Sequence, residues 1–290
     1  MGGSVSMKKL CVIGDPISYS MSPVIHNAVI RAMGLKNIYY EKIRVKKEDL
    51  GNFIISMRKN GIIGMNITHP HKETVIKYLD QLTDEAKKIG AVNTVFMKDG
   101  MLFGANTDVT GFLRSLHENF IDIKDKKVLI LGAGGAAKAV VSAVFNDAGS
   151  IVILNRTIER AEEISEKTGK RIRAGGLNEI EEEIEETEIL INCTPLGMKG
   201  VYENLSPVDP EILNSDITVI DTVYNPVKTK LLREAEKRGS RTINGIEMFI
   251  HQAAESLRIW TGKDPPINVM RDSLRRCLIE HSSYRFYGNR

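Results

Sequence analysis

The stretch Lys127-Val-Leu-Ile-Leu-Gly-Ala-Gly-Gly-Ala-Ala-Lys138 decides the fold. Two lysines lead into an unbroken apolar run, Val128 to Leu131, the pattern of a strand buried on both faces. The run stops at Gly132, and small helix-forming residues follow from Ala136 to Val144. The spacing is G-x-G-x-x-A between a predicted strand and a predicted helix. Gly132 permits the tight turn, Gly134 lets backbone approach a pyrophosphate, and Ala137 keeps helix and strand close. The open amides of the first helical turn, around Ala133, Gly135 and Ala136, then face phosphate.

Glycines at a strand-to-helix turn are weak support alone, because any tight turn of this kind uses them. The next element adds weight. Ile151-Val-Ile-Leu154 reads as a second parallel strand ending at Asn155-Arg156-Thr157, with Asn155 23 positions after Gly132. A fold of this kind that prefers NAD places Asp or Glu there for the ribose hydroxyl, whereas Arg suits a 2′-phosphate. No acid stands at this strand end, and Arg160 follows Arg156 at helical spacing. Guanidinium forks match phosphate geometry, so NADP is the expected cofactor. The alternative is a pair of solvated surface arginines.

The chain has 290 residues, which predicts one large or two modest domains. Apolar residues make up 42% and charged residues 27%, the balance of an ordinary globular protein. Forty basic against 37 acidic residues leave a net charge of +3, too even to suggest a nucleic-acid partner. No apolar run approaches the ~20 residues of a membrane span. Met1 to Met7 lacks the charged and apolar regions of a secretory leader and reads as a tag remnant ahead of a start at Met7. Cys11, Cys193 and Cys277 are odd in number and far apart. That pattern fits a reducing cytoplasm and neither a disulfide framework nor a metal site.

Along the chain, strands are predicted at Lys8–Ile13, Tyr39–Val45 and Ile62–Ile67, and helices at Ser22–Met33, Lys47–Asn60, Glu73–Tyr78 and Asp84–Ile89. Ser22-Pro23 reads as an N-cap followed by Pro at the first helical position. Thr94–Met97 and Met101–Ala105 flank Asp99-Gly100, a hairpin turn expected on the sheet edge. A helix at Val109–Asn119 leads into the dinucleotide half, with further strands at Ile189–Cys193 and Ile217–Asp221. Glu179 to Glu188 holds seven glutamates beside Leu177, Ile180 and Ile184, and is expected to be a solvated helix face. Helices close the chain at Met248–Trp260 and Ile267–His281, with Ser282–Arg290 as a loose tail.

Ligands of open α/β sheets sit beyond the carboxyl ends of the strands. The residues there are Ser20 and Ser22 after the first strand, Asn66, Thr68 and Lys72 after the third, and Asn106, Thr107 and Asp108 after the hairpin. One Lys, one Asp and neutral hydrogen-bonding groups suit a small polyhydroxylated or carboxylated molecule. Each residue has a structural alternative: Ser22 as a cap, Asn66 and Thr68 as strand terminators, Lys72 as a solvated lysine of a first helical turn. In that last place the helix dipole disfavours a cation. His69 and His71 straddle Pro70 without an evident third ligand, so no metal is expected. Met248, Phe249 and Trp260 read as core, with Gln252 the polar exception among apolar neighbours on its helix.

These segments, in this order, resemble the shikimate dehydrogenase family. The motifs are Gly14-Asp-Pro-Ile-Ser-Tyr-Ser-Met-Ser-Pro23, Asn66-Ile-Thr-His-Pro-His-Lys72, Gly90-Ala-Val-Asn-Thr94 and Asn106-Thr-Asp108. They continue with Gly132 to Ala137, Asn155-Arg-Thr157, Asn192-Cys-Thr-Pro-Leu-Gly-Met198, Asp221-Thr-Val-Tyr-Asn-Pro226, and Asn244-Gly245 with Gln252. The resemblance runs from about Leu10 to Cys277. It implies Lys72 and Asp108 as the catalytic pair, and Ser20, Ser22, Asn66, Thr68, Asn93, Tyr224 and Gln252 around shikimate. It also implies Asn155, Arg156, Thr157 and Arg160 at the adenosine phosphate of NADP, with Thr194, Thr222 and Gly245 along the cofactor. Two positions depart from the family pattern: Tyr19 stands where His is frequent, and His69 where a small aliphatic residue is usual.

The expectation is therefore an α/β protein of two α/β domains with the active site in the cleft between them. An N-terminal mixed-sheet substrate domain spans 8–107 and is completed by C-terminal helices, 245–281, packing back on it. A Rossmann-like NADP-binding domain spans 108–244. The expected activity is NADP-dependent interconversion of 3-dehydroshikimate and shikimate by a cytoplasmic monomer or homodimer without nucleic-acid or membrane partners. The rivals are a quinate/shikimate enzyme with relaxed substrate or NAD use, and a catalytically silent NADP-binding regulatory module.

Overall fold

The computed structural model describes residues 7–57, 59–168 and 172–287, with side chains described to residue 279. The expectations for residues 1–6 and for 288–290 lie outside the described residues. In chain order the first elements are β1 (Lys8–Gly14), α1 (Ser22–Ala32), β2 (Ile38–Arg44), α2 (Leu50–Ser56), β3 (Ile62–Ile67), β4 (Gln81–Leu82), α3 (Asp84–Ile89), β5 (Thr94–Lys98) and β6 (Met101–Ala105). Next come α4 (Asp108–Glu118), β7 (Lys127–Leu131), α5 (Gly135–Val144), β8 (Ser150–Asn155), α6 (Ile158–Thr168), β9 (Ile172–Gly176), α7 (Ile180–Ile184) and β10 (Ile189–Asn192). The last are β11 (Thr218–Asp221), α8 (Lys230–Lys237), β12 (Arg241–Ile243), α9 (Ile246–Thr261) and α10 (Ile267–Tyr287). Two compact units result: one formed by the chain up to Thr107 together with the chain from Ile250 onward, the other by Asp108–Phe249.

The first unit holds a mixed sheet in the order β2-β1-β3-β5-β6-β4. β1 lies between two parallel neighbours, and Leu10 to Ile13 are accordingly buried. The β5–β6 hairpin turns at Asp99 (φ 51°) and Gly100 (φ 75°), the paired positive φ of the turn that suits strand twist. The hairpin is not the edge: β4 pairs with β6 in parallel and covers it. A strand of two residues leaves no alternation to read. The segments expected as helices at 47–60 and 73–78 are tighter. Lys47–Asp49 and Thr74–Tyr78 are 3-10 turns, and only Leu50–Ser56 is α-helical in the first of them. One apolar core runs beneath this sheet through Ile13, Leu50, Ile54, Met65, Ile67 and Val95. Each such aliphatic side chain contributes about 1.5–3 kcal/mol by leaving water. α10 packs back on α1, burying Met270 and Leu274. It continues past the expected stop at His281 to Tyr287, so the tail expected from Ser282 begins as helix.

The second unit is a six-stranded, all-parallel sheet in the order β12-β11-β10-β7-β8-β9. Counted from β7, this is the doubly wound 3-2-1-4-5-6 order read from the other edge. Its reversal falls between β7 and β10, so the carboxyl ends at Leu131 and Asn192 flank the crevice where such sheets take ligands. Sequence reading omits β9, α8 and β12. β9 ends in Gly175-Gly176 and β12 has three residues, so neither presents a strand-length apolar run. α8 does show Leu231, Leu232 and Ala235 at helical spacing behind the N-cap Thr229, and could have been found.

The acidic run is not uniformly solvated. Glu183 is buried and ion-paired with Arg173 and, at 3.1 Å, with Lys127. These partners come from β9 and β7, which is why helical periodicity alone hides the contact.

His26 on α1 is a buried titratable group apart from the site. Its ring stacks on Tyr40 at 4.1 Å, and among the described residues neither nitrogen has a hydrogen-bond partner of good geometry. Burial, only partly offset by nearby Asn66, lowers its pKa from 6.5 to about 3. The unfolded chain takes up a proton as pH falls through 6.5 and the folded chain does not, so stability drops on acidification between those values. His26→Phe keeps an aromatic face and removes that proton sink. Its acid-unfolding midpoint should move to lower pH, with thermal stability at pH 8 little changed. Parallel loss of stability in both proteins between pH 6.5 and 4 would show that His26 does not carry this dependence.

Candidate functional site

In the first unit the loops after β1 and β3 close on one another. Thr68 N–H donates to the Ile13 carbonyl at 3.0 Å, and Asp15 N–H to the His69 carbonyl at 3.1 Å. Gly14 makes this approach possible, since a Cβ there would lie 2.6 Å from Thr68 Cγ2 and 2.9 Å from the His69 carbonyl oxygen. β2 anchors the first loop through Arg44, 2.6 Å from Asp15 Oδ1, and through Lys42 on the Ser18 carbonyl.

Ser22 is the first residue of α1 and not its cap. Met21 holds the cap position without a side-chain bond, and Pro23 supplies the fixed φ of the first turn. The local bond belongs to Ser20 instead. Its Oγ accepts the Ser22 N–H at 3.3 Å and donates to Ser22 Oγ at 3.2 Å. Ser22→Ala should therefore weaken substrate binding and leave thermal stability nearly unchanged. Ser20→Ala should weaken binding and also lower stability, losing about 0.5–1.5 kcal/mol with its bond to the backbone. Kinetics paired with thermal melts test this, and unaltered substrate kinetics in both variants would show that neither serine contacts the ligand.

Lys72 is half-buried and lies two residues ahead of the 3-10 turn Thr74–Tyr78. The turn is short and 3-10, so a cation at its start meets a weaker dipole than a full α-helix would present. Its backbone is held by the bond from Val92 N–H to the Lys72 carbonyl at 2.8 Å. His71 beside it is buried, with Nε2 2.7 Å from the Val45 carbonyl oxygen, and His69 is exposed.

Behind these loops lies a buried polar cluster. Asn66 donates through Nδ2 to Ser256 Oγ at 2.9 Å and to the Asn93 carbonyl at 3.1 Å, and its Oδ1 accepts from the Tyr40 hydroxyl at 2.6 Å. Asn93 Oδ1 accepts from Thr107 N–H at 2.8 Å and Thr94 Oγ1 at 2.9 Å. Asn93 Nδ2 lies 2.9 Å from Thr107 Oγ1 and 3.4 Å from Gln252 Oε1. Asn66 thus spends its amide on the protein, while Asn93 and Gln252 form a linked pair. Ser256 and Tyr40 escape sequence reading, although Ser256 stands one helical turn after Gln252 on α9.

In the second unit, Asp108 opens α4, one peptide bond beyond Thr107, and is buried. The phosphate turn follows β7. Gly132 has φ 103°, and its N–H donates to the Leu154 carbonyl at 2.9 Å. Ala133 is buried there, and Gly134 is the N-cap of α5, with no atom of the described residues beyond its chain neighbours within 4 Å of where its Cβ would stand. Gly135 and Ala136 follow in the first turn, which holds no acid and no side-chain cap. Its amides therefore have no side-chain cap, an arrangement that fits a pyrophosphate. At the end of β8, Asn155 Nδ2 donates to the Thr157 carbonyl at 2.8 Å and shapes the bend. Arg156, Thr157 and Arg160 are exposed, and no partner of Arg156 is found among the described residues. The acid-free strand end fits a 2′-phosphate better than a bare ribose.

The ends of β10 and β11 are tied through Asn192 and Asp221. Asn192 Oδ1 accepts from Thr194 N–H at 2.9 Å and Thr194 Oγ1 at 2.7 Å, and the Asn192 carbonyl accepts from Thr222 Oγ1 at 2.9 Å. Asp221 accepts from Asn192 Nδ2 at 3.0 Å, Val223 N–H at 3.0 Å and Thr229 Oγ1 at 2.7 Å. Burial still pushes its carboxyl up to about 7 against those three bonds. Tyr224 on the same loop stacks on Phe249 at 3.9 Å, and Gly245 N–H donates to the Val223 carbonyl at 3.1 Å.

Comparison with known proteins agrees with both halves. Residues 12–95 match the model of the shikimate dehydrogenase substrate binding domain, 114–201 that of shikimate / quinate 5-dehydrogenase, and 245–275 that of the shikimate 5′-dehydrogenase C-terminal domain. The chain is 44% identical over 273 residues to the shikimate dehydrogenase (NADP(+)) of Methanococcoides burtonii, covering 94% of this chain and 99% of that one. Among solved structures it is similar to a shikimate dehydrogenase in complex with NADP+, with TM-score 0.85, 39% identity, and 96% and 99% of the two chains covered. It is also similar to the Thermus thermophilus enzyme in complex with NADP(H) and shikimate, with TM-score 0.82, 35% identity, and 93% and 99% covered.

Proposed function

The chain belongs to the shikimate dehydrogenase family, and from that premise we propose how its residues perform the reaction. It is an NADP-dependent oxidoreductase that interconverts 3-dehydroshikimate and shikimate. NADP, when bound, supplies or accepts the hydride. The chain's residues must bind, orient and manage one proton. Reduction develops negative charge on the substrate carbonyl oxygen, so a proton donor belongs within hydrogen-bond reach. Lys72 Nζ takes that role and receives the proton back in oxidation. Asp108 is its carboxylate partner and takes a neighbouring substrate hydroxyl. Ser20, Ser22, Thr68, Asn93, Tyr224 and Gln252 bind the ring substituents. Gly132 to Ala136, Thr194, Thr222 and Gly245 follow the cofactor, and Arg156 with Arg160 takes its 2′-phosphate. The substrate segments are 8–107 with 245–281, and the cofactor segment is 108–244. The protein works as a cytoplasmic monomer or homodimer.

The observation that carries this reading is one chain combining a half-buried lysine on the loop after β3 with an acid-free phosphate turn after β7. The second-unit match to a model covering both shikimate and quinate, together with Tyr19 and His69, keeps quinate as the rival substrate. Initial rates with shikimate and quinate, each with NADP+ and NAD+, separate the readings. Shikimate with NADP+ should be fastest. A preference for quinate or NAD+ would replace the reading by its rival, and no turnover with any pair would favour the silent module.

A further inference from the structure

We propose that Ser256 on α9 is a positioning residue for substrate binding, acting through the amides of Asn93 and Gln252. This rests on the reading of the site given above. Ser256 is buried, and four groups converge on its hydroxyl: Thr94 Oγ1 at 2.7 Å, Asn66 Nδ2 at 2.9 Å, the Gln252 carbonyl oxygen at 2.9 Å and Thr107 Oγ1 at 3.1 Å. A hydroxyl has one proton to give and two lone pairs to receive with. Ser256 gives its proton to Thr94 Oγ1 at 2.7 Å, the nearest of the four, and Thr94 gives its own to Asn93 Oδ1 at 2.9 Å. Asn66 Nδ2 can only donate, so it takes one lone pair. Thr107 Oγ1 takes the other.

The consequence reaches the candidate ligand-binding amides. With Thr107 held by Ser256, its N–H and Oγ1 face the two ends of the Asn93 side chain, at 2.8 Å from Oδ1 and 2.9 Å from Nδ2. That arrangement fixes which end of the Asn93 amide is nitrogen. Asn93 Nδ2 in turn lies 3.4 Å from Gln252 Oε1, so the nitrogen end of Gln252 is directed away from Asn93. A donor end suits a hydroxyl oxygen or a carboxylate of the substrate. Tyr40 closes the cluster by donating to Asn66 Oδ1, which prevents the Asn66 amide from flipping. A half-satisfied buried network loses this definition, because each orphaned group seeks a new partner.

Ser256→Ala and Thr94→Val each remove one hydroxyl with little change of shape. In each, the KM for shikimate should rise about tenfold, the effect of one or two buried hydrogen bonds. The KM for NADP+ should stay put and kcat should fall less than KM rises. Ser273→Ala removes a helix serine that, among the described residues, bonds the Met270 carbonyl, and should change neither constant. If Ser256→Ala fails to fold, Thr94→Val decides alone. Normal shikimate KM in a folded variant, whatever its melting temperature, would overturn the proposal and reduce the cluster to core packing. If the wild-type protein did not oxidise shikimate, the functional reading would fall first and this inference with it.

Discussion

Lys72→Met should lower kcat by about 10²–10⁴, the usual range for removing a general acid or base. Met keeps an apolar stem of similar length and deletes only the ammonium. The half-buried side chain lies where its backbone is pinned by Val92, so the loop should keep its shape. A group that acts in the transition state lowers kcat and kcat/KM together, whereas a group that merely binds raises KM. Shikimate affinity, measured directly by calorimetry, should therefore change far less than turnover. Asp108→Asn should also slow turnover. The double variant should be little worse than the more damaged single one, because groups that act as a unit are not additive. Near-normal kcat with a raised KM in Lys72→Met would make Lys72 an anchor, and the proton would have to come from another group.

What can be read from sequence follows from how local each determinant is. The β7–α5 turn is legible because strand, glycines and helix are contiguous, and Gly132 does adopt the positive φ that the turn demands. The hairpin at Asp99-Gly100 is legible for the same reason. The cap of α1 is misread by one residue: Ser-Pro is a sound start pattern, yet Ser20 takes the local bond and leaves Met21 at the cap. The 3-10 turn after Lys72 is wound more tightly than an α-helix, a difference that residue types barely encode.

Long-range pairing is the part that sequence does not disclose. Ser256 meets Asn66 across 190 residues of chain, and nothing about either residue announces the other. Glu183 looks like one glutamate among seven until β7 and β9 bring Lys127 and Arg173 to it. Asp221 reads as a polar strand end, although it is a buried carboxyl whose three donors tie the ends of β10 and β11 together. The resemblance to a family supplies which residues to examine. The hydrogen bonds separate those whose polar groups are spent on the protein, such as Asn66, from those set on exposed ground, such as Arg156.

Arg156 leads to the second large effect. Arg156→Gln with Arg160→Gln should raise the KM for NADP+ by two orders of magnitude or more, since each charge-assisted phosphate contact is worth about 1.5–3 kcal/mol. The KM for NAD+ should hardly move, because NAD+ has no 2′-phosphate for the guanidinium groups to grip. Both arginines are exposed, Arg156 just ahead of α6 and Arg160 in its first turn, so the substitutions should leave the melting temperature nearly unchanged. Discrimination depends on the missing acid as much as on the arginines. Asn155 turns its amide nitrogen to the Thr157 carbonyl and presents no negative charge to repel a phosphate. Adding Asn155→Asp to the double variant should therefore lower affinity for NADP+ further and improve affinity for NAD+, as the carboxylate can accept from a ribose hydroxyl. Binding titrations with both cofactors, at fixed ionic strength because exposed charges are screened, separate the two contributions. Equal losses for NADP+ and NAD+ in the double arginine variant would mean that Arg156 and Arg160 do not read the 2′-phosphate, and that cofactor choice is made elsewhere along the strand ends.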